Sequence, residues 1–299
     1  MKGEFLKYLN SLKVKSGVNV SLKKDFCTDY NKKIFTKEEG ESLLAEGISN
    51  MAKMQDKLYA NDKYSVLIIL QAMDAAGKDG AIKHVMSGLN PQGVKVNSFK
   101  TPSKEELNHD YLWRHYKELP PRGDIGIFNR SHYENVLITK VHPEFILNEK
   151  LPGINSVKDI DKKFWEKRYK QINRFEKTLA ENGTIIMKFF LHVSKDIQKN
   201  RFLERINDPS KNWKFSVADA AERKHWNEYQ KAYEELLSAT STDYAPWFVL
   251  PADDKWFTRL CLSYILHNEF ESLKLKYPTI SESQKIQLQK TKQELMKEK

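Results

Sequence analysis

Cysteine is scarce in this sequence: its 299 residues hold only Cys27 and Cys261, far apart and outside any CxxC or Cys/His cluster. That argues against a disulfide framework or a zinc site and fits a reducing compartment. Long apolar runs are missing too, since no stretch approaches the roughly 20 apolar residues of a membrane span. The opening MKGEFLKYLNSLKVKSG is charged throughout and lacks the apolar core of a signal peptide. A cytoplasmic location with no membrane partner is therefore expected. Internal repeats are absent. Negative charge is in deficit, with 50 Lys and Arg against 40 Asp and Glu and a formal net charge of +10. Such a surplus points to an anionic partner, whether nucleic acid, an acidic membrane or a phosphate-rich substrate, unless the surface is merely basic. The 40% hydrophobic and 30% charged content describes a globular chain, long enough for one large α/β domain or two small ones.

Five short apolar runs stand out: Tyr64–Leu70, Val94–Phe99, Ile125–Phe128, Thr184–Leu191 and Trp247–Leu250. Continuous rather than alternating hydrophobicity predicts strands buried on both faces. Amphipathic helical segments lie between them, so the pattern predicts βαβ units and a five-stranded parallel sheet in a three-layer α/β/α sandwich. Thr36 and Glu39 form a capping box ahead of a helix running to Leu58. Residues 1–60 are read as an N-terminal arm and this helix, 61–280 as the core, and 281–299 as a polar tail. Within the core, about 200–237 is read as two helices around a loop at Asp208-Pro209, rich in Arg, Lys and aromatics. It forms either a solvated face or a mobile helical lid.

The strongest local signal is LIILQAMDAAGKDGAIKHVM. An apolar strand enters a small-residue turn, then Gly77-Lys78, then a helix with Ala81, Ile82, Val85 and Met86 at helical spacing. A strand, a tight loop and a helix N-terminus bind phosphate through backbone N–H groups and the helix dipole. Ala75, Ala76, Gly77, Asp79 and Gly80 would line that cradle, with Lys78 reaching the phosphate oxygens. The pattern departs from G-x-x-x-x-G-K-[ST] at two places, with Ala72 for the first Gly and Asp79 for the Ser/Thr. The missing hydroxyl removes a usual Mg²⁺ ligand, so carboxylates must hold the metal, and Asp74 is one candidate.

A second cluster is RGDIGIFNRSHYENVL. Asn129, Arg130, His132 and Glu134 follow the third run, where open α/β sheets bind ligands. Asp124, on the same segment, is expected to hold the metal beside Asp74. Arg130 is expected to neutralise charge on a transferring phosphoryl group. No role is assigned to His132, for which a packed structural histidine is an equal reading.

At these residues the sequence resembles the polyphosphate kinase type 2 family. The resemblance lies in AMDAAGKDG at 72–80, SGLNPQGV at 87–94, RGDIGIFNRSHYE at 122–134, KNWKFS at 211–216 and PADDKWFTRL at 251–260, in family order over roughly 15–270. It implies a P-loop kinase core with a helical lid, similar to nucleoside monophosphate kinases. It also implies Mg²⁺ (Mn²⁺ the alternative), a homo-oligomer (dimer or tetramer), and reversible phosphoryl transfer between inorganic polyphosphate and AMP or ADP, forming ADP and ATP. Asp74, Lys78, Asp124 and Arg130 carry over as core site residues. Arg114, Arg168, Arg201, Lys214 and Arg223 carry over as basic positions of the polyphosphate channel or lid. Glu134 stands where the ADP-only subgroup has Asn, which implies the subgroup that accepts both AMP and ADP. Two rivals remain: an ATP-dependent nucleotide kinase on the same scaffold and a non-catalytic polyanion-binding protein. Nucleic acid is not an expected partner.

Overall fold

The computed structural model describes residues 2–30 and 34–298, without the side chains of Lys2 and Lys214. The five apolar runs become β1 (Ser65–Ala72), β2 (Val94–Ser98), β3 (Ile125–Asn129), β4 (Thr184–His192) and β5 (Trp247–Pro251). Every strand pairing is parallel, in the order β2-β3-β1-β4-β5. β1 lies at the centre with all eight residues buried, as its uninterrupted apolar character requires. β2 is the exception: it is an edge strand, partly exposed along its length, so its apolar residues do not mark burial on both faces.

Among the described residues the chain forms twelve α-helices. The first six are α1 (Lys2–Ser11), α2 (Leu22–Asp25), α3 (Lys37–Asn61), α4 (Lys78–Val85), α5 (Trp113–Tyr116) and α6 (Ile138–Val141). The others are α7 (Lys162–Glu181), α8 (Lys195–Asn207), α9 (Val217–Glu222), α10 (Trp226–Thr240), α11 (Lys255–Ser272) and α12 (Glu282–Leu295). Helices α3, α4 and α11 pack together as one outer layer, and α6, α7 and α10 as the other. The expected Thr36–Glu39 capping box starts α3. Gly40 and Gly47 let that helix press on α11: an added Cβ would stand 2.3 Å from the Trp256 ring and 2.5 Å from the Ser263 Oγ.

The N-terminal arm contributes to the core. Phe5, Leu9, Leu12 and Val14 are buried in the central cluster. The arm also closes the β5 edge: the Val14 N–H donates to the Trp247 carbonyl at 2.8 Å and the Val249 N–H to the Leu12 carbonyl at 2.9 Å. The polar tail is a formed helix, α12, with a Ser281–Gln284 capping box but no buried residue. The segment read as two lid helices holds three: α8 stops before Asp208-Pro209, and short α9 precedes α10. Proline after Asp208 disfavours helical backbone there. No described helix is long and apolar enough to cross a membrane.

Candidate active site at the carboxyl edge of the sheet

β1 ends at Ala72 and α4 starts at Lys78, so the turn between them sits at the centre of the sheet's carboxyl edge. The β2-β3-β1-β4-β5 order makes β1 the place where the chain switches direction across the sheet, the usual position of a ligand crevice. The turn is bent sharply. Ala75 has φ +60°, a left-handed conformation that costs a non-glycine residue about 1 kcal/mol or more, and Gly77 has φ +110°. The Lys78 Nζ donates to the Ala72 carbonyl at 3.0 Å, folding its side chain back over the turn. Burial pulls the Lys78 ammonium below the ordinary lysine range, and the nearby Asp74 carboxylate works against that pull.

β3 delivers the second group of residues to the same edge. Arg130, immediately after the strand, also takes a left-handed backbone, φ +62°. Its guanidinium Nη2 lies 3.1 Å from the Asp74 Oδ1. Burial alone would lower Arg130, but Glu134 and Asp74 outweigh it and hold the guanidinium above its ordinary range. Asn129 donates to the Asp79 Oδ1 at 2.8 Å, so the acid that replaces the usual Ser/Thr is already tied to β3. Half-buried Glu134 lies in the helical turn at 132–136. Burial raises its carboxyl, against Arg130 and Lys78. His132 is buried and bonded to Glu176 at 3.3 Å, a structural histidine.

The turn at 74–81, Asn129 and Arg130 open, with Ser98–Thr101, into a cavity of about 750 Å³, whose lining does not include Glu134 or His132. The same wall carries cations absent from the sequence reading: Arg205 from α8, Lys211 from the loop after it, Lys255 and Arg259 from α11, and Lys100 from the loop after β2. Lys255 and Arg259 were legible, because they stand four residues apart on the helix that follows the last apolar run. Arg205 and Lys211 lie in the segment recognised as basic but not resolved residue by residue. A smaller cavity of about 340 Å³ shares Ser98 and Phe99 and contains Arg114. Arg114 pairs with Glu106 at 3.2 Å and sits over the Phe99 ring.

Asp124 does not join this site. It precedes β3, at the amino end of the strand, and its carbonyl accepts from the Val66 N–H at the start of β1. The whole length of the sheet separates it from Asp74 and Lys78. Burial and neighbouring Asp62 raise its carboxyl. Sequence proximity to the apolar run misled here: a strand carries its two ends to opposite edges. Arg168 is likewise elsewhere, 2% exposed and held by Glu149 at 2.9 and 3.3 Å beneath Tyr111. Arg201 reaches the cavity wall, yet its two Nη atoms donate to four backbone carbonyls, of Ala75, Ala76, Ala252 and Asp253. It braces the turn. Arg223 is not on the cavity wall and donates to the Lys195 carbonyl and to Gln198. The backbone of Lys214 lies in the helical turn at 212–214, but its side chain falls outside the described residues.

Asp219, on α9, lines the cavity with Asp74, Asp79 and Glu204, and it is within electrostatic reach of Asp74, the place expected of Asp124. Burial and Asp74 both raise it, and Arg130 opposes them. Among the described residues no group of three or more His, Cys, Asp or Glu could hold a metal alone. Two acids on one cavity wall, Asp74 and Asp219, suit a hard divalent cation that completes its shell with phosphate oxygens and water.

A parallel sheet with a phosphate-type turn at its central strand, opening on a cation-walled cavity beneath a helical lid, defines a P-loop phosphotransferase of the kinase type. The comparisons narrow the class: residues 34–278 match the Polyphosphate kinase 2 (PPK2) family model, and the chain belongs to that family. It is 50% identical over 262 residues to an ADP-polyphosphate phosphotransferase of Rhodopseudomonas palustris, covering 88% of this chain and 90% of that one. It is 44% identical over 245 residues to an AMP/ADP-polyphosphate phosphotransferase of Meiothermus ruber, covering 81% and 86%. The crystal structure of Polyphosphate Kinase 2 from Arthrobacter aurescens TC1 superposes with a TM-score of 0.82 at 38% identity, covering 92% of this chain and 94% of that one.

Proposed function

We propose that this protein transfers a phosphoryl group between inorganic polyphosphate and AMP or ADP, reversibly, forming ADP and ATP. One observation carries the reading: the phosphate turn opens into a cavity whose wall also holds Lys100, Arg205, Lys211, Lys255 and Arg259. A single nucleotide phosphate needs the turn and Lys78 alone. Five further cations on the same cavity wall suit a chain of phosphates.

The attacking group is a terminal phosphate oxygen of the acceptor, already largely anionic because the second phosphate pKa is about 6. No strong general base is required, and no activated Ser, Cys or His nucleophile lies on the cavity wall. The difficulty is bringing two polyanions together in line. The turn's amides and Lys78 hold the transferring group, and Arg130, fixed by Asp74, neutralises the charge that develops on it. Asp74 and Asp219 would hold the divalent ion, Mg²⁺ with Mn²⁺ as the alternative. When bound, it screens the phosphate oxygens as a Lewis acid.

Glu134 is the proposed acceptor selector. Its carboxylate lies within electrostatic reach of Lys78, Arg130 and Asp74, close enough to distinguish acceptors by the charge they bring. Glu134→Asn is expected to lower AMP phosphorylation more than ADP phosphorylation, by about tenfold in the ratio of kcat/KM values. Parallel loss on both acceptors would remove Glu134 from that role. The proposed assembly is a homo-oligomer in the cytoplasm, to be checked by light scattering and fractionation. The main test is incubation with Mg²⁺, polyphosphate and AMP or ADP. Appearance of ADP and ATP supports the reading. Product formed from ATP and AMP without polyphosphate, and none with it, would assign an ATP-dependent kinase instead.

A further inference from the structure

Three consecutive carbonyls of the phosphate turn, those of Asp74, Ala75 and Ala76, all accept hydrogen bonds from side chains of α8. Gln198 donates to Asp74 at 2.9 Å, and Arg201 donates to Ala75 at 3.1 Å and Ala76 at 2.8 Å. Each carbonyl drawn toward α8 commits the adjoining peptide plane, and with it the direction of the amides that bind phosphate. The turn's left-handed Ala75 is thus held from outside, as strained backbone must be.

The two holders differ in what stands behind them. Arg201 is anchored to the carbonyls of Ala252 and Asp253, just after β5. All four of its acceptors are backbone carbonyls at the carboxyl edge of the sheet, after β1 and after β5. Gln198 is anchored instead to the lid: its Oε1 accepts from the Arg223 Nη1 at 2.6 Å. Arg223 lies in the helical turn between α9 and α10. The Gln198 side chain is buried, with the residue 2% exposed, so neither end of its amide has ready access to water. Only one amide orientation satisfies both partners, with the oxygen toward Arg223 and the nitrogen toward Asp74. A glutamine with an acceptor and a donor used in series transmits a constraint that an apolar side chain cannot. From Asp74 the chain of contacts continues through its carboxylate to Arg130.

We infer that Gln198 is a positioning residue, whose amide sets the phosphate turn and Asp74 in their working geometry only while Arg223 of the lid is docked against it. Removing Arg223 leaves a buried Gln198 oxygen without its donor, a cost of about 1–3 kcal/mol relieved by rotating the amide. That rotation takes the donor away from the Asp74 carbonyl. The turn, and the pairing of Asp74 with Arg130, then lose their reference to the lid. Substrate held by the other cations of the cavity, such as Lys100, Lys255 and Arg259, keeps its contacts, so binding and turnover separate.

This inference rests on the proposed activity, and the test separates the two. Wild-type protein, Q198M, Q198E, R223M and Q198M/R223M are assayed with Mg²⁺, polyphosphate and ADP, and melting temperatures are recorded alongside. An inactive wild type would sink the functional reading. With wild type active, Q198M and R223M should each lower kcat about tenfold, with the KM for polyphosphate within about twofold. The double variant should fall no more than about twofold below the weaker single one, since both break the same series connection. Q198E keeps the acceptor for Arg223 but lacks the donor for Asp74, and should match Q198M. Being isosteric, it carries the test if Q198M does not fold. Single-variant kcat within twofold of wild type, losses that multiply in the double variant, or a fall in kcat that follows the melting temperature would each overturn the inference.

Discussion

Asp124 and Asp74 illustrate how much a residue's chemistry depends on the end of the strand that carries it. Both are acids beside an apolar run, and both read from sequence as metal ligands. Asp74 follows β1 and faces Arg130 and Lys78, whereas Asp124 precedes β3 and faces Asp62. Asp124→Asn is therefore expected to leave kcat within about twofold of wild type. Relief of the Asp62 repulsion adds at most a few tenths of a kcal/mol of stability. A loss of two orders of magnitude in turnover would return Asp124 to the mechanism. The loop residues, Arg130 and the capping box at Thr36 were legible because each depends on neighbours within a few positions. Arg168 and Arg201 were not. A basic residue read as a channel cation is spent, in one case, on Glu149 and, in the other, on backbone carbonyls. Such pairings join distant segments and leave no trace in local spacing.

Strands and helices were legible where the apolar period was strong, and all five strand positions follow from it. Their burial was less so: β2 sits at an edge that only the strand order reveals. At this scale α11 carries the most testable chemistry. It follows β5, so its first turns lie at the cavity, and Lys255 and Arg259 share its inward side. Burial draws both cations below their ordinary ranges. Neutralising both, as Lys255→Gln with Arg259→Gln, should raise the KM for polyphosphate at least about tenfold and leave that for ADP within about threefold. The slope of log KM against log salt should fall by roughly 0.7 for each cation removed. Equal effects on both substrates would detach α11 from polyphosphate. At the other extreme, α12 has no buried residue. Ending the chain after Ile280 should leave kcat unchanged and shift the melting temperature by less than about 2 °C. A larger drop would mean that another molecule covers this helix.

For the molecule as a whole, charge and buried histidine set the response to solution conditions. The net charge of +10 and the cationic wall predict that the KM for polyphosphate climbs with salt more steeply than that for AMP. Burial holds His192 at about 4, and His115 and His132 below the usual imidazole range. In the unfolded chain these groups titrate near 6.5. Between those values the unfolded state binds more protons, so stability is complete above about pH 6.5 and is lost as pH falls toward 4. His192 alone accounts for about 3 kcal/mol of that loss. Melting curves at pH 7 and 4.5 check it: His192→Leu should show a smaller acid drop than wild type, and identical drops would refute the assignment. The bridge from the arm to β5 carries a consequence for biosynthesis. Leu12 and Val14 leave the ribosome long before their partners at 247–249, so the sheet's outer border stays unsealed until that later segment has been made. A chain shorn of its first fifteen residues would keep that border open for good, offering unpaired amides to any passing strand. Its characteristic failure would be self-association, with the chemistry of the phosphate turn still intact.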